Sequence, residues 1–251
     1  MRRFFLALTA AALLASGAAR ASEGEALKHQ EWPWLGVFGK FDLAQLRRGF
    51  QVYNEVCSAC HSLNLLAYRN LAEIGIPAAK IKAIAADKEV LDGPNDQGEM
   101  FHRPAKPSDR FVPPFANEQA ARAAMNGALP PDLSLIIKAR EGGPDYVYGI
   151  LTGFADAPAG FKVADGMYYN RAFPGHQIAM PPPLEDGRVT YADGTKNTTA
   201  QEARDAVAFL TWAAEPNLTV RHELGIKVLL FVAVLTVLFY ALKRKVWSDL
   251  H

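Results

Sequence analysis

The pentapeptide Cys57-Ser58-Ala59-Cys60-His61 uses both cysteines of this 251-residue chain. Two thiols three residues apart lie on one face of a helical turn, and a histidine follows at once. The arrangement suits addition of both thiols across the two vinyl groups of a porphyrin, with the His61 imidazole reaching the iron from the same side. A fold built around such a site can pack its loops on a flat cofactor instead of on each other. A thioredoxin-type redox pair does not need the trailing histidine, and it follows a strand in a βαβ pattern that this sequence lacks. Zinc needs four ligands, and the chain has no further cysteine to offer. The motif therefore predicts one haem c, bound through thioethers to Cys57 and Cys60, with His61 as a metal ligand.

The two ends of the chain predict where that group sits. Arg2 and Arg3 precede an apolar run from Phe4 to Leu14, and small residues follow up to Ala19-Arg20-Ala21. That pattern reads as a cleaved signal peptide over residues 1–21, too short for a membrane span. Near the other end, Leu224 to Leu242 is almost wholly apolar, and as a helix it would span roughly 28 Å, close to the ~30 Å hydrocarbon core of a bilayer. Lys227 lies near its entry end, and Lys243, Arg244, Lys245 and Trp247 follow it. Basic residues beyond the span predict a cytoplasmic C-terminus. The expected organisation is a signal peptide (1–21), a periplasmic haem domain (22–222), a transmembrane anchor helix (223–242) and a basic cytoplasmic tail (243–251). This describes a single-pass protein of a bacterial inner membrane.

The formal charge of +1 conceals an uneven distribution. Setting aside Arg2, Arg3, Arg20, Lys227, Lys243, Arg244 and Lys245, with Glu223 and Asp249, leaves 20 basic and 24 acidic residues. No basic patch with interleaved aromatics points to nucleic acid. A mildly acidic domain can steer a basic redox partner.

Between the ends the chain reads as one mainly α, loop-rich domain. Asp42 can cap a helix carrying Leu43, Leu46, Phe50, Tyr53 and Cys57 at spacings of three and four. A second helix is expected after Thr199, with Glu202 completing a capping box, and it should stop before Pro216. Asn117 to Asn126 reads as a shorter helix closed by Gly127. Residues 90–116 and 153–198 are rich in Gly, Pro, Asp and aromatics, and any strands, for example near Arg188 to Tyr191, should be short. Loops of this length are uncommon in a compact domain, and a haem offers them an alternative core.

A second axial ligand must come from Met100, Met125, Met167, Met180, His29, His102, His176 or His222. Met180 stands out because Pro181-Pro182-Pro183 follows it, and prolines hold a loop stiff without competing N–H donors. His176 is its main rival, and spacing alone leaves the two open.

The segments CSACHSLNLLAYRNL, GALPPDLSLIIKAREGGPDYVYGILTGF, MYYNRAFPGHQIAMPPPL and FLTWAAEPN resemble cytochrome c1, the haem c subunit of the cytochrome bc1 complex. RRGFQVYNEVCSACH and the terminal YALKRKVWS are similar too, so the resemblance covers nearly all of the chain after the signal peptide. It implies a cytochrome c-like haem domain with long loops and one C-terminal anchor helix. It also implies Met180 as the sixth ligand, Arg140 on a haem propionate and Tyr146 near the same edge. Some bacterial members carry an extra cysteine pair; without it, the Met180 loop must be stiffened by packing and prolines. Bound by both His61 and Met180, the iron would have no open position, which disfavours oxygen chemistry. The implied role is electron transfer from the Rieske iron–sulfur protein to a cytochrome c, beside cytochrome b in the membrane. This subunit would have no catalytic site of its own within a proton-translocating quinol oxidoreductase. An alternative is a membrane-anchored cytochrome c serving another oxidase or reductase, against which the motifs after residue 127 weigh.

Overall fold

Asp42 begins the fold as its sequence suggests: its side chain accepts from the Ala44 N–H at 2.9 Å and caps helix α1, Leu43–Glu55. The computed structural model describes residues 26–250, so the segment read as a signal peptide lies outside the described residues. Five more helices follow: α2 (Ala78–Ala86), α3 (Glu118–Ala124), α4 (Gly143–Thr152), α5 (Thr199–Ala214) and α6 (Leu218–Val246). Two small antiparallel hairpins interrupt the loops. Strand β1 (Glu89–Asp92) pairs with β2 (Phe101–Pro104), and β3 (Tyr168–Tyr169) pairs with β4 (Gln177–Ile178). The short strands therefore fall in the two long loops, and residues 188–191 form none.

The centre of the domain is the packing of α1 on α5. Leu46, Phe50 and Tyr53 form the buried stripe of α1, whereas Leu43 at its start stays exposed. Phe209 of α5 meets the rings of Phe50 and Tyr53 with centroids 5.6 and 5.7 Å apart. Gly49 permits the close approach, because a Cβ there would lie 1.9 Å from the Asp205 carbonyl oxygen. One ion pair crosses the same seam. Arg48 donates from Nε to the fully buried Asp205 at 2.9 Å and from Nη1 to Asp193 at the same distance. Burial opposes the Arg48 charge, but the two carboxylates more than offset it. A buried pair of this kind fixes register more than it adds net stability.

Helix α5 differs from its sequence reading in one respect. Its cap is Thr198, whose side chain accepts from Gln201 N–H, so no capping box forms with Glu202. Glu202 is instead fully buried and accepts from the Val189 N–H at 2.9 Å, fastening the preceding loop to the helix. Burial raises its carboxyl above the ordinary range, against the pull of that N–H. The helix is buried nearly all round because α4 and the loop carrying Leu184, Val189 and Tyr191 pack on it as well as α1.

Glu215 to Asn217 separate α5 from α6, and Glu215 accepts from both Lys138 and Arg221. Helix α6 is long and apolar enough to cross a membrane. It extends past the expected span of 223–242 at both ends, and its apolar side chains from Leu224 to Leu242 include a long run that no other described part of the chain covers.

Candidate functional site

At the end of α1 the chain tightens into a 3-10 turn, Cys57–Ala59, so Cys57 sits just beyond the helix that leads to it. Both Cys60 N–H and His61 N–H donate to the Cys57 carbonyl, at 3.2 and 2.9 Å. The Tyr53 hydroxyl donates to the His61 carbonyl at 3.2 Å, tying the motif back to the buried stripe of α1. The two thiols are half-buried and unpaired. Cys57 packs against both hydrophobic clusters of the domain, and burial pushes its thiol up to about 12.

The His61 ring has a single defined orientation. Its Nδ1 lies 2.8 Å from the Pro131 carbonyl. A carbonyl can only accept, so Nδ1 carries the proton and the Nε2 lone pair is left for a metal. Burial lowers the imidazole pKa, against the Pro131 carbonyl and Asp132, and so favours the neutral, ligating form. Pro131 is itself held by its neighbour. The Asp132 carboxylate accepts from Ser62 Oγ and Asn64 N–H at 2.8 Å each, and from Ser134 N–H at 2.9 Å. Burial works against that charge, but these donors hold Asp132 below the usual carboxylate range. The sequence reading does not single out Pro131 or Asp132. Their only local signal is the Pro-Pro-Asp string, which marks a turn and says nothing of what it faces.

Met180 and His176 occupy one hairpin. His176 precedes β4, and Met180 follows it by two residues, half-buried, before the exposed Pro181 and Pro182. The hairpin hangs on Asn170, which is fully buried. Its Nδ2 donates to the Ile150 carbonyl at 2.8 Å, and its Oδ1 accepts from Ala172 and Phe173 N–H. Asn170 N–H also donates to the His176 carbonyl at 3.0 Å. His176 has φ of 58°, in the left-handed region, and its ring stacks on Tyr169 with centroids 5.7 Å apart. The other candidate ligands are spread elsewhere. His29 pairs with Asp145, His222 bonds the Gly39 carbonyl, Met125 ends α3, and Met100 and His102 are exposed on the first hairpin. Met167 is half-buried just before β3.

Arg140 and Tyr146 flank the start of α4. Arg140 is exposed and donates to its neighbour's carbonyl at 2.9 Å. Tyr146 is half-buried; burial raises its phenol, and the nearby Arg140 guanidinium opposes the rise. Two unpaired thiols followed at once by an imidazole with Nε2 free have the donor chemistry that a covalently held haem needs.

A model of the cytochrome C1 family matches residues 32–250. Cytochrome c1 of Rhodospirillum rubrum is 50% identical over 262 residues, which cover 97% of this chain and 96% of that protein. A cytochrome b/c1 of Bradyrhizobium diazoefficiens is 47% identical over 98% of this chain, which spans only 40% of that longer protein. The mitochondrial cytochrome c1 haem protein of Schizosaccharomyces pombe is 50% identical over 91% of this chain and 74% of its own length. Matched along almost the whole described chain and at half its positions, the protein belongs to the cytochrome c1 family.

Proposed function

We propose that this chain is the haem c subunit of a membrane-bound cytochrome bc1 complex, accepting electrons from a Rieske iron–sulfur protein and delivering them to a cytochrome c. The observation that carries the reading is His61, locked by Pro131 in the tautomer that ligates metal, one residue after two free thiols. Haem c bound there supplies a one-electron Fe(III)/Fe(II) couple. Cys57 and Cys60 would hold it by thioethers, and His61 Nε2 and the Met180 sulfur would ligate its iron. A thioether favours the reduced iron and raises the potential relative to a second histidine. Arg140 and Tyr146 would serve its propionates, where a guanidinium offsets carboxylate charge and a phenol can donate.

Topology follows from α6. The basic Lys243, Arg244 and Lys245 hold the C-terminus in the cytoplasm, so the haem domain faces the periplasm. The helix packs beside cytochrome b, a partner that the joined name of the Bradyrhizobium relative supports. The complex couples its quinol oxidation to proton translocation, while this subunit makes and breaks no substrate bond.

The test is quinol-driven reduction of the covalent haem in native membranes, with and without an inhibitor of quinol oxidation. Fast, inhibitor-sensitive reduction is expected. Reduction indifferent to the inhibitor would remove the chain from a bc1 complex and leave a c-type cytochrome of another pathway.

A further inference from the structure

The segment Trp32 to Phe41 precedes α1 and belongs to neither the motif nor its supports. Its rear is buried. Trp34 is 1% exposed, its ring stacks on Trp32 with centroids 4.9 Å apart, and Trp32 Nε1 donates to Asp145 at 2.7 Å. Its tip is the opposite. Leu35, Val37 and Phe38 are 51, 62 and 79% exposed, and Phe38 is the most exposed large apolar side chain recorded among the described residues.

This tip is not a loose strand of chain. Leu35 N–H donates to Trp32, Gly39 N–H to Gly36, and Lys40 N–H to Pro33, closing the segment on itself. Gly36 has φ of 80°, and a Cβ at Gly39 would meet the Trp34 carbonyl at 2.3 Å, so both glycines are needed for the turn. The backbone thus holds three apolar side chains outward that a slack loop could fold inward.

Its position explains what would cover them. Three contacts tie the segment to the first turns of α6: Phe41 N–H to Thr219 Oγ1 at 3.3 Å, His222 Nδ1 to the Gly39 carbonyl at 2.9 Å, and Lys40 to Glu223 at 2.7 Å. Glu223 immediately precedes Leu224, where the long apolar run of α6 begins. The tip is therefore fastened beside the point where the helix enters the bilayer.

We infer that Leu35, Val37 and Phe38 form a second membrane contact, a rigid wedge seated in the boundary between lipid headgroups and acyl chains. With α6 it makes a two-point attachment. One helix leaves a domain free to tilt about its axis, whereas a wedge tied to the helix base fixes which face of the haem domain looks away from the membrane. Exposed apolar patches rimmed by polar groups mark such contacts, and here Lys40, His222 and Glu223 supply the rim. The inference rests on the reading of α6 as a membrane anchor.

The test uses the full, haem-loaded chain in vesicles of phosphatidylcholine and phosphatidylglycerol. Val37→Cys and Phe38→Cys variants carry a nitroxide label, with the unsubstituted chain as a labelling blank. Collisions with dissolved oxygen report lipid, and collisions with a water-soluble nickel complex report solvent. Leu91→Cys, on the exposed face of β1, is the aqueous reference, and Val232→Cys, within α6, is the lipid reference. Labels at 37 and 38 are expected to be shielded from nickel several-fold relative to 91, at a shallower depth than 232. Nickel access at 38 equal to that at 91 would overturn the wedge. Shielding only when the other subunits are present would overturn it too, in favour of a protein-docking surface. Nickel access at 232 would instead overturn the anchor reading on which the wedge depends.

Discussion

His61 stands where α1 runs into a hydrogen-bonded turn, with Tyr53 behind it, the Pro131 carbonyl on its ring and Asp132 holding that carbonyl in place. Met180 stands in a stretch, 153–198, whose regular structure amounts to two two-residue strands and the 3-10 turn Pro174–His176. The first side has a hydrophobic core of its own, shared by α1 and α5. The second has Asn170, three prolines and only Leu184, Val189 and Tyr191 of the smaller buried cluster. Segments with few backbone hydrogen bonds and little buried apolar surface open at low free energy cost. The contrast implies that the His61 side is formed by the protein alone, whereas the Met180 side gains much of its order from what it packs against.

The sharpest test of that contrast is Met180→Leu. Covalent attachment should survive, because it depends on the other side, while the reduction potential falls by on the order of 150 mV, more than two decades at about 59 mV each. Redox titration of the purified variant measures it. An unchanged potential would falsify Met180 as a ligand and move attention to His176.

A smaller effect is expected at Asn170. Asn170→Ala removes one donor and one acceptor that together serve three buried or half-buried backbone groups, a loss of about 3 kcal/mol. Thermal melting and limited proteolysis of the haem-loaded protein should show cleavage concentrated in 153–198, with the Cys57–His61 region still protected. Uniform loss of protection would collapse the distinction between the two sides.

The smallest effect concerns Asp132. Its folded pKa is lowered, so the stability it contributes is present above its unfolded value of about 3.9 and is lost as pH falls through the folded one. Asp132→Asn should lower stability by about 1 kcal/mol at neutral pH, by weakening charge-assisted hydrogen bonds, and should flatten the acid limb of the stability profile. Melting curves across the acid range check the sign. An acid limb identical to that of the unsubstituted chain would remove Asp132 from the support of His61.

Local patterns were legible where chemistry and spacing coincide. Cys57-Ser58-Ala59-Cys60-His61, the Asp42 cap, the α1 stripe and the apolar run of α6 all depend on residues within a few turns of one another. The Thr198 cap was misplaced by one residue, and Glu202 went to a loop instead of a capping box, because a distant N–H at Val189 competed for the carboxylate. The short strands could not be placed either. Two-residue strands such as β3 and β4 carry too little periodicity to be read, and Asn170 organises their hairpin through Ile150, on another element.

The sequence by itself determined the donor types, the helices that became α1, α3 and α5, and the presence of a span long enough for a bilayer, since each follows from nearest-neighbour chemistry, whereas α2 and α4 carried no such signal. Only the tertiary structure decided that Pro131 orients His61 across 70 residues, that Gly49 sets the α1–α5 distance, and that the Trp32–Phe41 segment lies beside the base of α6. Those outcomes depend on backbone carbonyls and close approaches between remote elements. Every residue carries a carbonyl, so its identity announces nothing until the fold brings a partner to it.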